Sequence, residues 1–257
     1  MLYSANLGFL FTELALPAAV RAAARAGFDA LECHFPYDTP PDDLRAALDE
    51  TGLRMLALNT WPGDRAAGEF GLCALPDRVD DARREIARAV DYAAATGMDA
   101  VHIMAGRTDG GTAAEETFVA NLRHACKAAG AYGMTVLIEP INTRDVPGYH
   151  LSTTDHAERL LDAVADDRLR IMFDCYHMQI MQGDLAKGLE RLLPKIGHVQ
   201  IAAVPDRGEP DAGEIDYRWL LGRLADLGYD GHVGAEYKPR GADTAAGMGW
   251  LSRLRAR

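Results

Sequence analysis

A short apolar run followed by a helix-forming segment, repeated about eight times, leaves this chain few ways to fold. Each strand and helix must bury a face, and strict alternation of the two does so by packing helices against a parallel sheet. The first run, 3–9, leads to an alanine-rich helix over 16–26 closed by Gly27, a residue type that accepts the left-handed turn ending many helices. A strand over 28–35, a helix over 41–51 ahead of Gly52 and a strand over 53–59 follow. Residues 60–76 are rich in Gly and Pro without a helical period and read as a functional loop. Next come a helix over 77–96 before Gly97, a strand over 98–104, a helix over about 113–132 before Gly133, and a strand over 134–138.

The second half repeats the scheme. A loop over 142–151 precedes a helix over 154–164 whose Ser/Thr/Asp start supplies a cap, then a strand over 169–173. A helical region over 178–193, broken at Gly183, is followed by a strand over 195–202, a helix over 216–227, a strand over 232–236 and a short helix over 243–254. About eight such units predict an α/β fold, a single (β/α)8 TIM barrel over residues 1–257. An open doubly wound sheet is the competing architecture, but no Gly-x-Gly-x-x-Gly turn follows the first strand.

Composition narrows the partners. With 48% hydrophobic and 25% charged residues the chain can build a substantial core. A net charge of -11 argues against a phosphate-backbone surface, which wants clustered Lys and Arg, and leaves small molecules as the expected partners. No basic segment precedes an apolar stretch at the N-terminus, and no apolar run approaches the ~20 residues of a membrane span. A cytoplasmic protein without membrane or nucleic-acid partners is expected. Cys33, Cys73, Cys126 and Cys175 form no C-x-x-C pair and fit reduced thiols. Barrels of this kind frequently form homo-oligomers, but no exposed apolar stripe says how this one would.

Four polar residues stand where strand-like runs end: Glu139, Asp174, Gln200 and Glu236. The carboxyl ends of barrel strands converge on one mouth, so residues distant in sequence become neighbours there. Three carboxylates and an amide oxygen suit a hard divalent cation. Taken singly, each is more simply a helix cap or a loop ion pair; it is their coincidence that favours a site. Pro140 pins Glu139 at the rim, and side-chain alternation puts Leu137 with Glu139, Met172 with Asp174, His198 with Gln200 and Gly234 with Glu236 on common faces.

The segments 138–142 (IEPIN), 173–179 (FDCYHMQ), 197–202 (GHVQIA), 207–210 (RGEP), 213–215 (GEI) and 236–239 (EYKP) resemble the hydroxypyruvate isomerase family of the xylose-isomerase-like barrels. The start 4–7 (SANL) and the loop 66–69 (AAGE) with Gly71 resemble it too, so the likeness spans almost the whole chain. It implies a Mg²⁺ or Mn²⁺ ion held by Glu139, Asp174, Gln200 and Glu236, with Glu139 and Glu236 as the acid/base pair. Relatives that epimerise free ketoses often carry His in place of Gln200, and the amide makes this set all-oxygen, which favours Mg²⁺. Arg207 and Lys238 are expected to meet a substrate carboxylate, His177 a substrate oxygen, and Glu32 and Asn59 to line the pocket. The reaction implied interconverts hydroxypyruvate and tartronate semialdehyde. A 2-oxo-tetronate isomerase or a ketose 3-epimerase would use the same ligands, and a silent sugar-acid-binding module is the non-enzymatic alternative. An endonuclease of the superfamily would want more His ligands and a basic groove.

Overall fold

In the computed structural model, which describes residues 1–256, eight strands form one parallel sheet. They are β1 (Leu2–Asn6), β2 (Ala30–Glu32), β3 (Ala57–Asn59), β4 (Ala100–His102), β5 (Thr135–Ile138), β6 (Leu169–Asp174), β7 (Ile196–Ile201) and β8 (His232–Ala235). Their order is β2-β1-β8-β7-β6-β5-β4-β3. A bridge between Leu31 and Met55 joins the two ends, with the Leu31 N–H donating to Arg54 O (2.9 Å) and the Leu56 N–H to Leu31 O (2.7 Å), and so closes the expected barrel.

Around it run α1 (Leu16–Ala26), α2 (Pro41–Thr51), α3 (Val79–Thr96), α4 (Thr112–Gly130), α5 (Thr154–Val164), α6 (Cys175–Met181), α7 (Leu185–Leu192), α8 (Tyr217–Asp226) and α9 (Gly249–Arg255). In α1 the buried Ala19, Val20, Ala22 and Ala23 form the stripe that packs inward, and Gly27 at φ 89° ends the helix. Strand side chains divide by the two-residue period. Val101, Val136, Ile138, Ile171 and Val199 join the main core, whereas Ala57, Ala100, Leu137 and Met172 form a separate apolar cluster. These four lie one pleat below Asn59, His102, Glu139 and Asp174, so they floor the mouth where the polar residues stand.

Several expected boundaries shift. β2, β3 and β4 are three-residue ladders inside longer apolar runs, with single backbone hydrogen bonds such as Cys33 N–H to Ala57 O (3.1 Å) and Ile103 N–H to Leu137 O (2.9 Å) continuing beyond them. The helix expected from 178 begins at Cys175, because the Asp174 carboxylate accepts the Tyr176 N–H (2.8 Å) and starts α6 at once. The final helix is a 3-10 turn, Ala245–Gly247, followed by α9.

The loop over 60–76 is anchored across the mouth. Gly71 pairs with Ala105, and the Ala74 N–H donates to Ala105 O (2.7 Å). Gly71 has φ 111°, and a Cβ there would stand 2.7 Å from Gly106 N and 2.8 Å from Met104 O. Both neighbours are backbone, so Gly71→Ala is expected to lower stability by about 1–3 kcal/mol. A shifted urea midpoint with an unchanged slope checks this; an unmoved midpoint would show that the crossing is not tight.

Candidate active site

Glu139 follows β5, Asp174 ends β6, Gln200 lies in β7 and Glu236 follows β8, so four adjacent strands deliver the expected ligands. Asp174 is level with Gln200, and Gln200 with Gly234. A Cβ on Gly234 would run into the Glu32 carboxylate and His198, so the bare position leaves room for the polar layer beside it. Glu139, Asp174, His177 and Glu236, all buried, each bring a ligand-type atom within 4.8 Å of the others.

Burying a carboxylate or amide oxygen without a hydrogen bond is costly, and native proteins do it rarely. Six buried side-chain atoms among the described residues lack a partner; three are Glu139 Oε1, Asp174 Oδ2 and Gln200 Oε1. The unsatisfied oxygens therefore belong to three of the four residues expected to hold a cation, and the donor set fits one.

Glu32 departs from expectation. It does not line the cavity: Oε2 accepts the Gln200 amide N–H (2.8 Å), and Oε1 accepts the Ser4 hydroxyl (2.9 Å) and lies 3.1 Å from His198 Nε2. Its carboxylate fixes which end of the Gln200 amide is free. Asn59 does line the cavity, as do His177, Arg207 and Lys238.

The two glutamates differ electrically. Burial, then the charges of Glu236 and Asp174, hold the Glu139 carboxyl well above the usual carboxylate range. Burial likewise pushes Asp174 up to about 7, against the opposing pull of Arg207. For Glu236 burial acts the same way but is outweighed by Arg207 and His34, so its carboxyl is held below the usual range. Arg207 donates to Glu236 Oε2 (2.6 Å), lies 3.7 Å from Asp174 Oδ2 and is 13% exposed. Its guanidinium is flanked by the rings of Phe9 (4.7 Å) and Tyr176 (5.1 Å). Its charge is shared with the protein's own carboxylates, Glu236 and Asp174.

Histidines complete the wall. His177 Nδ1 accepts the Asn142 backbone N–H (3.2 Å) and lies 2.6 Å from Asn142 Nδ2, which leaves Nε2 carrying the proton, 3.5 Å from both Glu139 Oε1 and Asp174 Oδ2. His177 lines the cavity with Nε2 as a donor. Residues not singled out in the sequence also reach Glu236 Oε1: His34 Nε2 (2.8 Å) and Asn6 Nδ2 (3.1 Å). His102 Nδ1 lies 3.2 Å from Asn59 Oδ1, and burial lowers its pKa to about 4, so the ring is neutral at pH 7 with Nε2 unpartnered. The signal for His102 was present, since it ends β4 level with Asn59 on β3; His34 shares a strand face with Glu32. The cavity these residues bound measures about 370 Å³. Arg65 and Lys238 also line it, and neither has an ion-pair partner among the described residues.

The family described as xylose isomerase-like TIM barrel matches residues 20–254. A Cupriavidus necator protein named 2-oxo-tetronate isomerase is 48% identical over 97% of this chain and 96% of its own. An Escherichia coli protein named hydroxypyruvate isomerase is 40% identical over 98% of this chain and 99% of its own. A crystal structure described as AP endonuclease, family 2, from Brucella melitensis superposes with a TM-score of 0.94 at 41% identity, covering 98% of this chain and 99% of that one. With its closed barrel and a match over most of its length, the chain belongs to the xylose isomerase-like TIM barrel family and is an isomerase of that family.

Proposed function

We propose that the chain interconverts hydroxypyruvate and tartronate semialdehyde by proton transfer through an enediolate, with Glu139, Asp174, Gln200 and Glu236 holding Mg²⁺ or Mn²⁺. The observation that carries this reading is the set of three unsatisfied oxygens, on Glu139, Asp174 and Gln200, in a mouth that also holds two glutamates of opposite proton affinity. When bound, such a cation supplies Lewis-acid polarisation of the carbonyl and offsets the charge of the enediolate.

The side chains perform the remaining work. Glu139 and Glu236 form the acid/base pair: one takes the proton from C3 and the other can return one to C2. Return of a proton to C2, with the hydroxyl proton moving from O3 to O2, completes the isomerisation without change in overall oxidation state. Glu236, held ionised by Arg207 and His34, faces Glu139 and is the second acid/base group. His177 Nε2–H donates to a substrate oxygen, and His102 Nε2 accepts from a hydroxyl. Lys238 and Arg65, the unpaired cations of the wall, receive the substrate carboxylate.

A 2-oxo-tetronate is the second substrate reading, favoured by the 48% identical relative of that name. Proton exchange at C3 of hydroxypyruvate in deuterated water, followed by NMR, tests the proposal. Metal-dependent deuterium uptake with formation of the aldehyde supports it; no exchange and no conversion at metal saturation would redirect the assignment to four-carbon acids.

A further expectation concerns metal uptake. Asp174, with a pKa of about 7, carries a proton in part of the metal-free protein near neutral pH, and burial beside Glu236 and Asp174 raises Glu139 as well. A cation must displace such protons, so affinity rises with pH through this range and binding releases protons. Calorimetric titration with Mn²⁺ near pH 7, in buffers of different ionisation enthalpy, should show that release; equal heats in all buffers would contradict it.

A further inference from the structure

Outside the mouth, three metal-ligating side chains from three separate segments meet at one point. Glu115 lies in the first turn of α4, His150 in the connection between β5 and α5, and His156 in the first turn of α5. His150 Nε2 stands 3.0 Å and His156 Nε2 2.8 Å from the same atom, Glu115 Oε2, and the two rings are 5.3 Å apart. Their side chains are 5%, 15% and 37% exposed, so both imidazoles are largely enclosed while the carboxylate keeps access to solvent.

We propose that Glu115, His150 and His156 form a second metal site, for a late first-row divalent cation such as Zn²⁺ or Co²⁺. Two imidazoles and a carboxylate, with a fourth position open to water, are a ligand set such cations take. Ordinary Zn–N and Zn–O bonds of about 2.0–2.1 Å require tetrahedral donors roughly 3.3 Å apart. The two nitrogen–oxygen separations need to open by only a few tenths of an ångström, and all three donor atoms already lie within 4.8 Å of one another.

Two further observations point to a cation. His150 Nδ1 lies 2.9 Å from the Thr108 hydroxyl, which itself accepts the Gly110 N–H (3.1 Å), so the ring is fixed from behind with Nε2 presented forward. Ligating histidines are held in this way through their other nitrogen. No Lys or Arg among the described residues pairs with Glu115; only the two imidazoles do. A plain hydrogen-bonded triad, with Glu115 Oε2 accepting from both rings, is the competing description.

The nitrogen ligands separate this site from the all-oxygen mouth. Co²⁺ is titrated into the full chain in excess Mg²⁺, following its visible d–d absorption and the metal bound after dialysis. Wild type and Asp174→Asn are expected to show the same four-coordinate Co²⁺ band and one tightly held equivalent. His156→Gln and Glu115→Gln should each lose that band and that equivalent. Both substituents preserve polarity and approximate size, and native near-ultraviolet circular dichroism confirms folding. His150→Gln serves as a third variant if either unfolds. If the Gln variants retain the band and stoichiometry of wild type, or if the wild type shows no band, the site is a hydrogen-bonded triad and the proposal fails.

Discussion

Glu139→Gln is expected to lower turnover of hydroxypyruvate by about 10²–10⁴-fold, the usual contribution of a positioned acid/base group. In the proposed ligand set the substitution also removes one cation donor, so metal affinity should fall with activity. The same substitution should leave the metal-free protein at least as stable as the parent. Glu139 is buried beside Glu236 and Asp174, and each of these features disfavours its charge. Gln keeps the shape and removes the repulsion.

The pH dependence gives this expectation a sign. Glu139 binds its proton more tightly folded than unfolded, so its favourable term is fully present below the ordinary carboxyl range and is lost as pH rises through the higher folded value. The variant lacks that loss. The gap in melting temperature between metal-free variant and parent should therefore widen in favour of the variant from pH 4 to pH 8. A variant that melts well below its parent at every pH would show that Glu139 is structural.

Arg207→Met should have the opposite signature. Arg207 is nearly enclosed, binds Glu236 at 2.6 Å and lies 3.7 Å from Asp174. Removing one partner of a buried ion pair leaves a charge without compensation, which costs about 3–5 kcal/mol. Met restores much of the contact with Phe9 and Tyr176 but no charge. The metal-free variant should unfold at much lower urea, and Mg²⁺ at about 100 times its Kd should return about 2.7 kcal/mol by mass action. Arg207→Lys should fall between, since an ammonium restores the charge without the planar stacking. Unchanged stability of Arg207→Met without metal would mean that the cluster tolerates its carboxylates by protonation alone.

Much of this site is legible in the sequence because barrel topology converts strand ends into neighbours. Glu139, Asp174, Gln200 and Glu236 stand out as polar residues after apolar runs, and the fold brings them to adjacent strands. The partners that set their chemistry are harder to see. His34 and Asn6, from the first two strand segments, both reach Glu236 after the last strand, and this pairing of the two ends of the sequence is invisible in a linear pattern. Arg207 is conspicuous in the sequence, but only the folded loop, with Arg207 at φ 55°, turns its guanidinium onto the carboxylates. Glu32 illustrates the converse. Its position at a strand end places it correctly on the inner face, yet the Gly234 gap and Gln200 draw it below the cavity wall. The early start of α6 is hidden for a related reason, since Asp174 both ends a strand and caps a helix.

The contact between Glu32 and Gln200 also bears on how such a barrel can drift. A histidine at position 200 would bring an imidazole toward the mouth, and a metal-bound imidazole wants a carboxylate on its second nitrogen. Glu32 already stands within hydrogen-bonding distance of that position. In the proposed ligand set, Gln200→His would thus exchange an oxygen donor for nitrogen with its carboxylate support already in place.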